Sequence, residues 1–166
     1  GDRVLPAKYT TPDPYELNSL FSLMLKSGCE YAVMEVSSHA LDQQRVYGLK
    51  FAQAIFTNFT QDHLDYHGTL ENYFAAKKML FSMCDTAIIN KDDPEADELI
   101  GGIKCNVQTY SLNNTAADFK AENVEIRADG VSYDLIHEGK SNHIAANLPG
   151  RFSVYNSLAA AASAYI

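Results

Sequence analysis

What the sequence lacks narrows its possible roles. No apolar run approaches the roughly 20 residues of a membrane span, and no signal-peptide pattern opens the chain. Cysteine is scarce: Cys29, Cys84 and Cys105 are widely spaced and contain no CxxC pair. That argues against a disulfide framework or a thiol-rich zinc site, and predicts reduced thiols in a cytoplasmic protein. Basic residues are few, 13 Lys and Arg against 21 Asp and Glu, for a formal charge of −8. Nonspecific nucleic-acid binding needs clustered cations to neutralise phosphates, so nucleic acid is not an expected partner. A phosphorylated small molecule needs only a few local donors and stays open.

Three familiar motifs are also missing. Gly139-Lys140-Ser141 resembles the end of a phosphate loop, but Asp134 stands where G-x4-GK[ST] requires its first glycine. There is no HExxH, which disfavours a zinc hydrolase. Ser37, His39 and Asp42 lie too close in sequence for an easy triad, and no GxSxG elbow is present.

What is present suits one domain with a real core: 166 residues, 46% hydrophobic. Asp13-Pro14-Tyr15-Glu16 starts a helix that Gly28 ends, with Leu17, Leu20, Phe21, Met24 and Leu25 at helical spacing. "YAVMEV", Tyr31 to Val36, reads as a buried strand, and "FAQAIFTN", Phe51 to Asn58, as another. A helix over Thr69 to Met83 precedes a strand "TAIIN", Thr86 to Asn90. A short helix over Pro94 to Ile100 precedes the strand "CNVQTYS", Cys105 to Ser111. This alternation predicts an α/β fold with a mostly parallel sheet and flanking helices. Phe119 to Arg127, Val131 to His137 and His143 to Asn147 then read as a small antiparallel subsheet. Asp129-Gly130 and Glu138-Gly139 supply its turns. An Ala-rich helix begins near Phe152, and the chain stops inside it, which predicts a piece of a longer protein.

Ligands of open α/β sheets bind beyond the carboxyl ends of strands. Two polar clusters fall there by this reading: Glu35 with Ser37, Ser38 and His39, and Asn58 with Asp62, His63, Asp65 and His67. Carboxylate, imidazole and water suit a divalent cation, and Mg²⁺ is the usual one beside phosphate. The helix after them carries an anomaly. Leu70, Tyr73, Phe74, Lys77, Leu80 and Phe81 form one face, with Lys77 in its middle. A lysine there either snorkels to water or is held neutral by burial or a nearby cation. A neutral amine reacts with CO₂ to give a carbamate, an anionic oxygen ligand.

"TTPD", "MEVSSHALDQQRV", "FTNFTQDHLDYHGTLENYFAAKKMLF" and "LPGRFSVYNSLAAAA" together resemble the central domain of the Mur ligases, over nearly the whole chain. The resemblance implies a Rossmann-like domain of an ATP-dependent amide ligase in peptidoglycan synthesis. It would join a diamino acid, meso-diaminopimelate or L-lysine, to UDP-N-acetylmuramoyl-L-alanyl-D-glutamate. By the same resemblance Glu35, His63 and a carbamylated Lys77 hold Mg²⁺. Thr10, Thr11, Ser37, Gln43 and Arg45 contact the uridylyl-muramoyl dipeptide, and Asn156 contacts nucleotide. Ser153 departs from the family's usual asparagine. Residues 1–166 are then a partial central domain, without phosphate loop, N-terminal uridine-binding domain or C-terminal domain. Such a fragment is expected to be inactive alone and to self-associate through an exposed sheet edge. A folylpolyglutamate synthetase-like ligase and a noncatalytic nucleotide- or metal-binding module are the alternatives.

Overall fold

The later apolar runs of the sequence build one sheet. In the computed structural model, which describes residues 4–113 and 116–166, the strands are β1 (Phe51–Phe56), β2 (Cys84–Asn90), β3 (Asn106–Ser111), β4 (Phe119–Ile126), β5 (Val131–His137) and β6 (Lys140–Ala146). They lie side by side in chain order. β1 to β4 pair in parallel, and β4–β5 and β5–β6 are antiparallel. The expected antiparallel subsheet is therefore the far end of the same sheet. Its second hairpin turns on Glu138 and Gly139, with φ of 49° and 74°. Two successive positive φ values fit the twist of antiparallel strands.

The chain forms two compact units, Gly1–Leu49 with His63–Leu80, and Lys50–Asp62 with Phe81–Ile166. The second contains the sheet, the short helix α5 (Ala96–Gly102) and the last helix α6 (Arg151–Tyr165). α6 lays Val154, Leu158, Ala159 and Ala162 against Ile88, Tyr110, Phe119 and Tyr133, all at most 3% exposed. The small alanines let the helix backbone approach the sheet. Ser157 and Tyr133 share a hydrogen bond of 3.1 Å across that interface, satisfying a phenol buried among apolar groups.

The first unit holds α1 (Pro14–Lys26), α2 (Ser38–Asp42), α3 (Leu64–His67) and α4 (Leu70–Lys78). The Asp13 carboxylate accepts from the amides of Tyr15 and Glu16, both at 2.9 Å, and so caps α1. Gly28, at φ 79°, follows its end. Only Leu17 of the α1 stripe is buried, and Leu25 is 76% exposed.

Two expectations need correction. Tyr31 to Val36 forms no strand; Tyr31 is 87% and Val33 98% exposed. Aromatic and β-branched residues suit a pleated surface, but a strand exists only where a neighbour supplies the ladder. The stripe from Leu70 to Phe81 is also not one helical face. α4 ends at Lys78, and a 3₁₀ turn, Met79–Ser82, shifts the phase. Tyr73, Phe74 and Ala76 are buried, Lys77 is half-buried and Leu70 is exposed. Among the described residues no helix is long and apolar enough to cross a membrane.

Candidate active site

Thr11 organises the first part of the site. It is 1% exposed. Its hydroxyl donates to the Glu35 carbonyl at 2.9 Å and accepts from the Ser37 amide at 3.0 Å. One buried oxygen thus replaces the strand ladder that was expected to place Glu35. Ser37 then caps α2, its Oγ accepting from the Ala40 amide at 3.2 Å. Thr11→Val keeps the shape but leaves the Ser37 amide and the Glu35 carbonyl without this partner. It is expected to destabilise the protein by about 1–3 kcal/mol, read by chemical denaturation; an unchanged midpoint would refute the assignment.

Arg45 is held on three sides. It donates to the Thr11 carbonyl at 2.9 Å, to Gln43 Oε1 through Nε at 2.9 Å, and its guanidinium lies 4.8 Å from the Tyr9 ring centroid. Gln43 in turn donates to the Tyr66 hydroxyl at 3.2 Å, and Tyr66 donates to Asp42 at 2.7 Å. Thr11, Ser37, Gln43 and Arg45 therefore form one connected group. Thr10, beside them in sequence, is exposed.

Aromatic contacts continue from Tyr66. The His39 ring lies 4.2 Å from that of Tyr66 and 4.8 Å from that of His63, between centroids. His63 stands edge-on to Tyr73 at 5.8 Å, and the Lys77 ammonium lies 5.3 Å from the centroid of the same ring. His63 and Lys77 thus share Tyr73 as a common support. His63 begins α3 at φ 53°, a left-handed conformation that sets where its ring points. An open cleft of about 640 Å³ is lined by Asp42, Tyr66, His67, Asn72, Ala76 and Met79.

Three imidazoles meet here. His67 is buried and 3.0 Å from the Ser38 hydroxyl. Burial, then the nearby His39, depress its pKa, with His63 adding to the effect and Asp42 and Asp65 opposing it. The folded protein therefore binds fewer protons at His67 than the unfolded chain. Stability is fully present above the ordinary histidine value of about 6.5 and is lost as pH falls through the depressed folded value. Thermal melts from pH 7.5 to 5 should show a decline that His67→Gln flattens; parallel curves would contradict this.

Among the described residues no three His, Cys, Asp or Glu side chains stand close enough together to hold a metal ion. The set read from sequence has only two such residues. Its third, Lys77, is a donor only after its charge is removed. Glu35 is exposed, and its carboxylate makes no hydrogen bond among the described residues. His63 and Lys77 both contact the Tyr73 ring. Asn156 lies in the other unit, exposed on α6. Ser153 is buried there and donates to the Pro149 carbonyl at 3.0 Å, so its hydroxyl is engaged in the helix start.

The sequence pattern described as the Mur ligase middle domain matches residues 1–164. The chain belongs to the Mur ligase family. The UDP-N-acetylmuramoyl-L-alanyl-D-glutamate–2,6-diaminopimelate ligase 1 of Clostridium acetobutylicum is 44% identical over 163 residues, 98% of this chain and 34% of that protein. The corresponding ligase of Parabacteroides distasonis is 46% identical over 158 residues, 93% of this chain and 32% of its own. A solved structure of a UDP-N-acetylmuramoyl-L-alanyl-D-glutamate–2,6-diaminopimelate ligase superposes with a TM-score of 0.87 at 34% identity. It covers 94% of this chain and 33% of that one. This Mur ligase domain thus spans about a third of the length of these relatives.

Two side chains that tie the group of Thr11, Ser37, Gln43 and Arg45 together went unread in sequence. Tyr66 sits inside "DHLDYHG" and Tyr9 beside Thr10, but their links to Gln43 and Arg45 are long-range and no spacing announces them. Asp92, in the sheet-bearing unit, also went unread. It follows the carboxyl end of β2, where a strand-end search would have found it. It accepts from the Ser111 hydroxyl at 2.5 Å, the Leu112 amide at 2.8 Å and the Tyr155 hydroxyl at 2.9 Å.

Proposed function

We propose that this domain belongs to a cytoplasmic ATP-dependent ligase that joins a diamino acid to UDP-N-acetylmuramoyl-L-alanyl-D-glutamate in peptidoglycan synthesis. One observation carries the reading. The connected group of Thr11, Ser37, Gln43 and Arg45 runs through Tyr66 and His39 to His63, Tyr73 and Lys77. Residues expected to hold the anionic dipeptide substrate are thus continuous with those expected at the phosphoryl-transfer centre. The names of the relatives support the same substrate.

In this reading the D-glutamate side-chain carboxylate attacks the γ-phosphorus of ATP, and ADP leaves. The resulting acyl phosphate is attacked by the amine of the diamino acid; an amide forms and phosphate departs. Arg45, held by Thr11, Gln43 and Tyr9, binds substrate anion from a fixed position, so little side-chain entropy is lost. Thr10 and Ser37 add hydroxyl donors, and Asn156 orients nucleotide. Glu35, His63 and Lys77 as its carbamate would hold Mg²⁺, which would supply positive charge to offset the repulsion between carboxylate and triphosphate.

The test is phosphate release by the complete gene product with ATP, Mg²⁺ and the UDP-linked dipeptide, adding L-lysine or meso-diaminopimelate in turn. Release that depends on one amino acid, with the tripeptide product identified by mass, is the expected result. A folded protein that turns over with neither would overturn the reading in favour of a noncatalytic module.

A further inference from the structure

The sheet carries a pair of cysteines that no role above uses. Cys84 is the first residue of β2, and Cys105 stands in the bend just before β3. Their sulfurs are 3.7 Å apart. Thr86 pairs with Asn106 in the β2–β3 register, so Cys84 and Cys105 are one residue out of step on neighbouring strands. A strand spacing near 4.8 Å and a rise near 3.3 Å put their Cα atoms about 6 Å apart. That lies at the usual Cα separation of a disulfide. Cys105 lies outside the ladder, which frees its side chain from the strand's alternation and lets it meet Cys84.

The geometry points to a site of reversible oxidation: Cys84 and Cys105 close an intramolecular disulfide when the protein meets a peroxide. The two thiols have different surroundings. Cys84 is 8% exposed, and its thiol also faces the Phe81 carbonyl at 3.8 Å. Burial pushes that thiol up to about 12, with Cys105 and Asp85 adding to the effect. Cys84 is therefore a poor first nucleophile, while Cys105 is partly open to solvent. The Cys105 thiolate attacks one peroxide oxygen; the O–O bond breaks, and the leaving hydroxide takes a proton to become water. Cys105 is now a sulfenic acid. The Cys84 sulfur attacks the Cys105 sulfur, the S–O bond breaks, and the second hydroxide leaves with the Cys84 proton as water. The peroxide is reduced and both thiols are oxidised. The sulfurs must approach by less than 2 Å to reach the bonded distance of about 2.05 Å.

The bond would close the β2–α5–β3 crossover at its amino-terminal end. A covalent link across such a loop removes freedom from the unfolded chain, so oxidation is expected to raise Tm by several degrees.

The experiment treats the full chain, folded and reduced, with hydrogen peroxide, then digests it without reductant and maps it by mass. A peptide joining Cys84 to Cys105, lighter by two hydrogens and restored by dithiothreitol, is the expected product. Cys84→Ser should instead leave Cys105 as a sulfenic acid that dimedone captures, and Cys105→Ser should leave Cys84 unmodified. Oxidation confined to Cys29, or a Cys84–Cys105 link that forms only after denaturation, would overturn the proposal. Since the decisive readout is the unaltered protein, a misfolded variant would not spoil it. It is also independent of ligase activity.

Discussion

Lys77→Ala in the full-length enzyme is expected to lower turnover about 10²- to 10³-fold while leaving the fold intact, the scale of losing one electrostatic stabiliser. Lys77 is half-buried, one helical turn beyond Tyr73, with its ammonium over that ring. A protonated lysine there would add positive charge but no metal ligand. As a carbamate it would add two anionic oxygens able to bind a cation. The two cases separate cleanly. Lys77→Arg keeps the cation and cannot be carbamylated, so it should be as impaired as the alanine variant. Acetate or another short carboxylate should return part of the alanine variant's activity by filling the space the carbamate left. Full activity in Lys77→Arg would show that the charge, not the carbamate, matters. A folded alanine variant that no carboxylate rescues would remove the carbamate from the mechanism.

Asp92→Ala is expected to be the most destabilising single change to a polar side chain of the sheet-bearing unit. Its carboxylate accepts from Ser111, Leu112 and Tyr155, with Asn113 adding a longer contact at 3.2 Å. It therefore ties the end of β3 to the first turns of α6. Arg151 extends the tie through Asn113 at 3.0 Å. Hydrogen bonds to a charged acceptor are each worth about 1.5–3 kcal/mol, but they are not additive, and Asp92 is partly open to water. A loss of about 2–4 kcal/mol follows, which lowers Tm by roughly 5–15 °C in a domain of this size. Asp92→Asn retains an accepting oxygen and should lose less. Calorimetry decides: equal melting of wild type and alanine variant would mean that the rest of the interface carries α6 unaided.

Strand and helix periodicity made most of the fold legible. Val131 to His137 was readable to the residue because alternation and a Glu-Gly turn agree there. The helix begun by Asp13 was readable because one carboxylate caps it. Tyr31 to Val36 misled because local composition says nothing about whether a partner strand is present. The 3₁₀ turn after Lys78 was invisible because the apolar residues continue while the backbone tightens. In the site, Thr11, Ser37, Gln43, Arg45, His63 and Lys77 were named through motif resemblance. What binds them together, Tyr66, His39 and Tyr73, is a matter of packing between segments far apart in sequence.

The sheet has one more consequence. Its strands stand in the order in which a ribosome would make them, so each new strand can dock on one already synthesised. Among the described strands no place in the ladder must be held for one made later, which keeps pairing errors few. Yet α6, which supplies Val154, Leu158, Ala159 and Ala162 to the core, follows all six of these strands in sequence. The nascent sheet must keep an oily face uncovered until the turns of α6 leave the exit tunnel. That interval, rather than strand pairing, is where a chaperone would be needed.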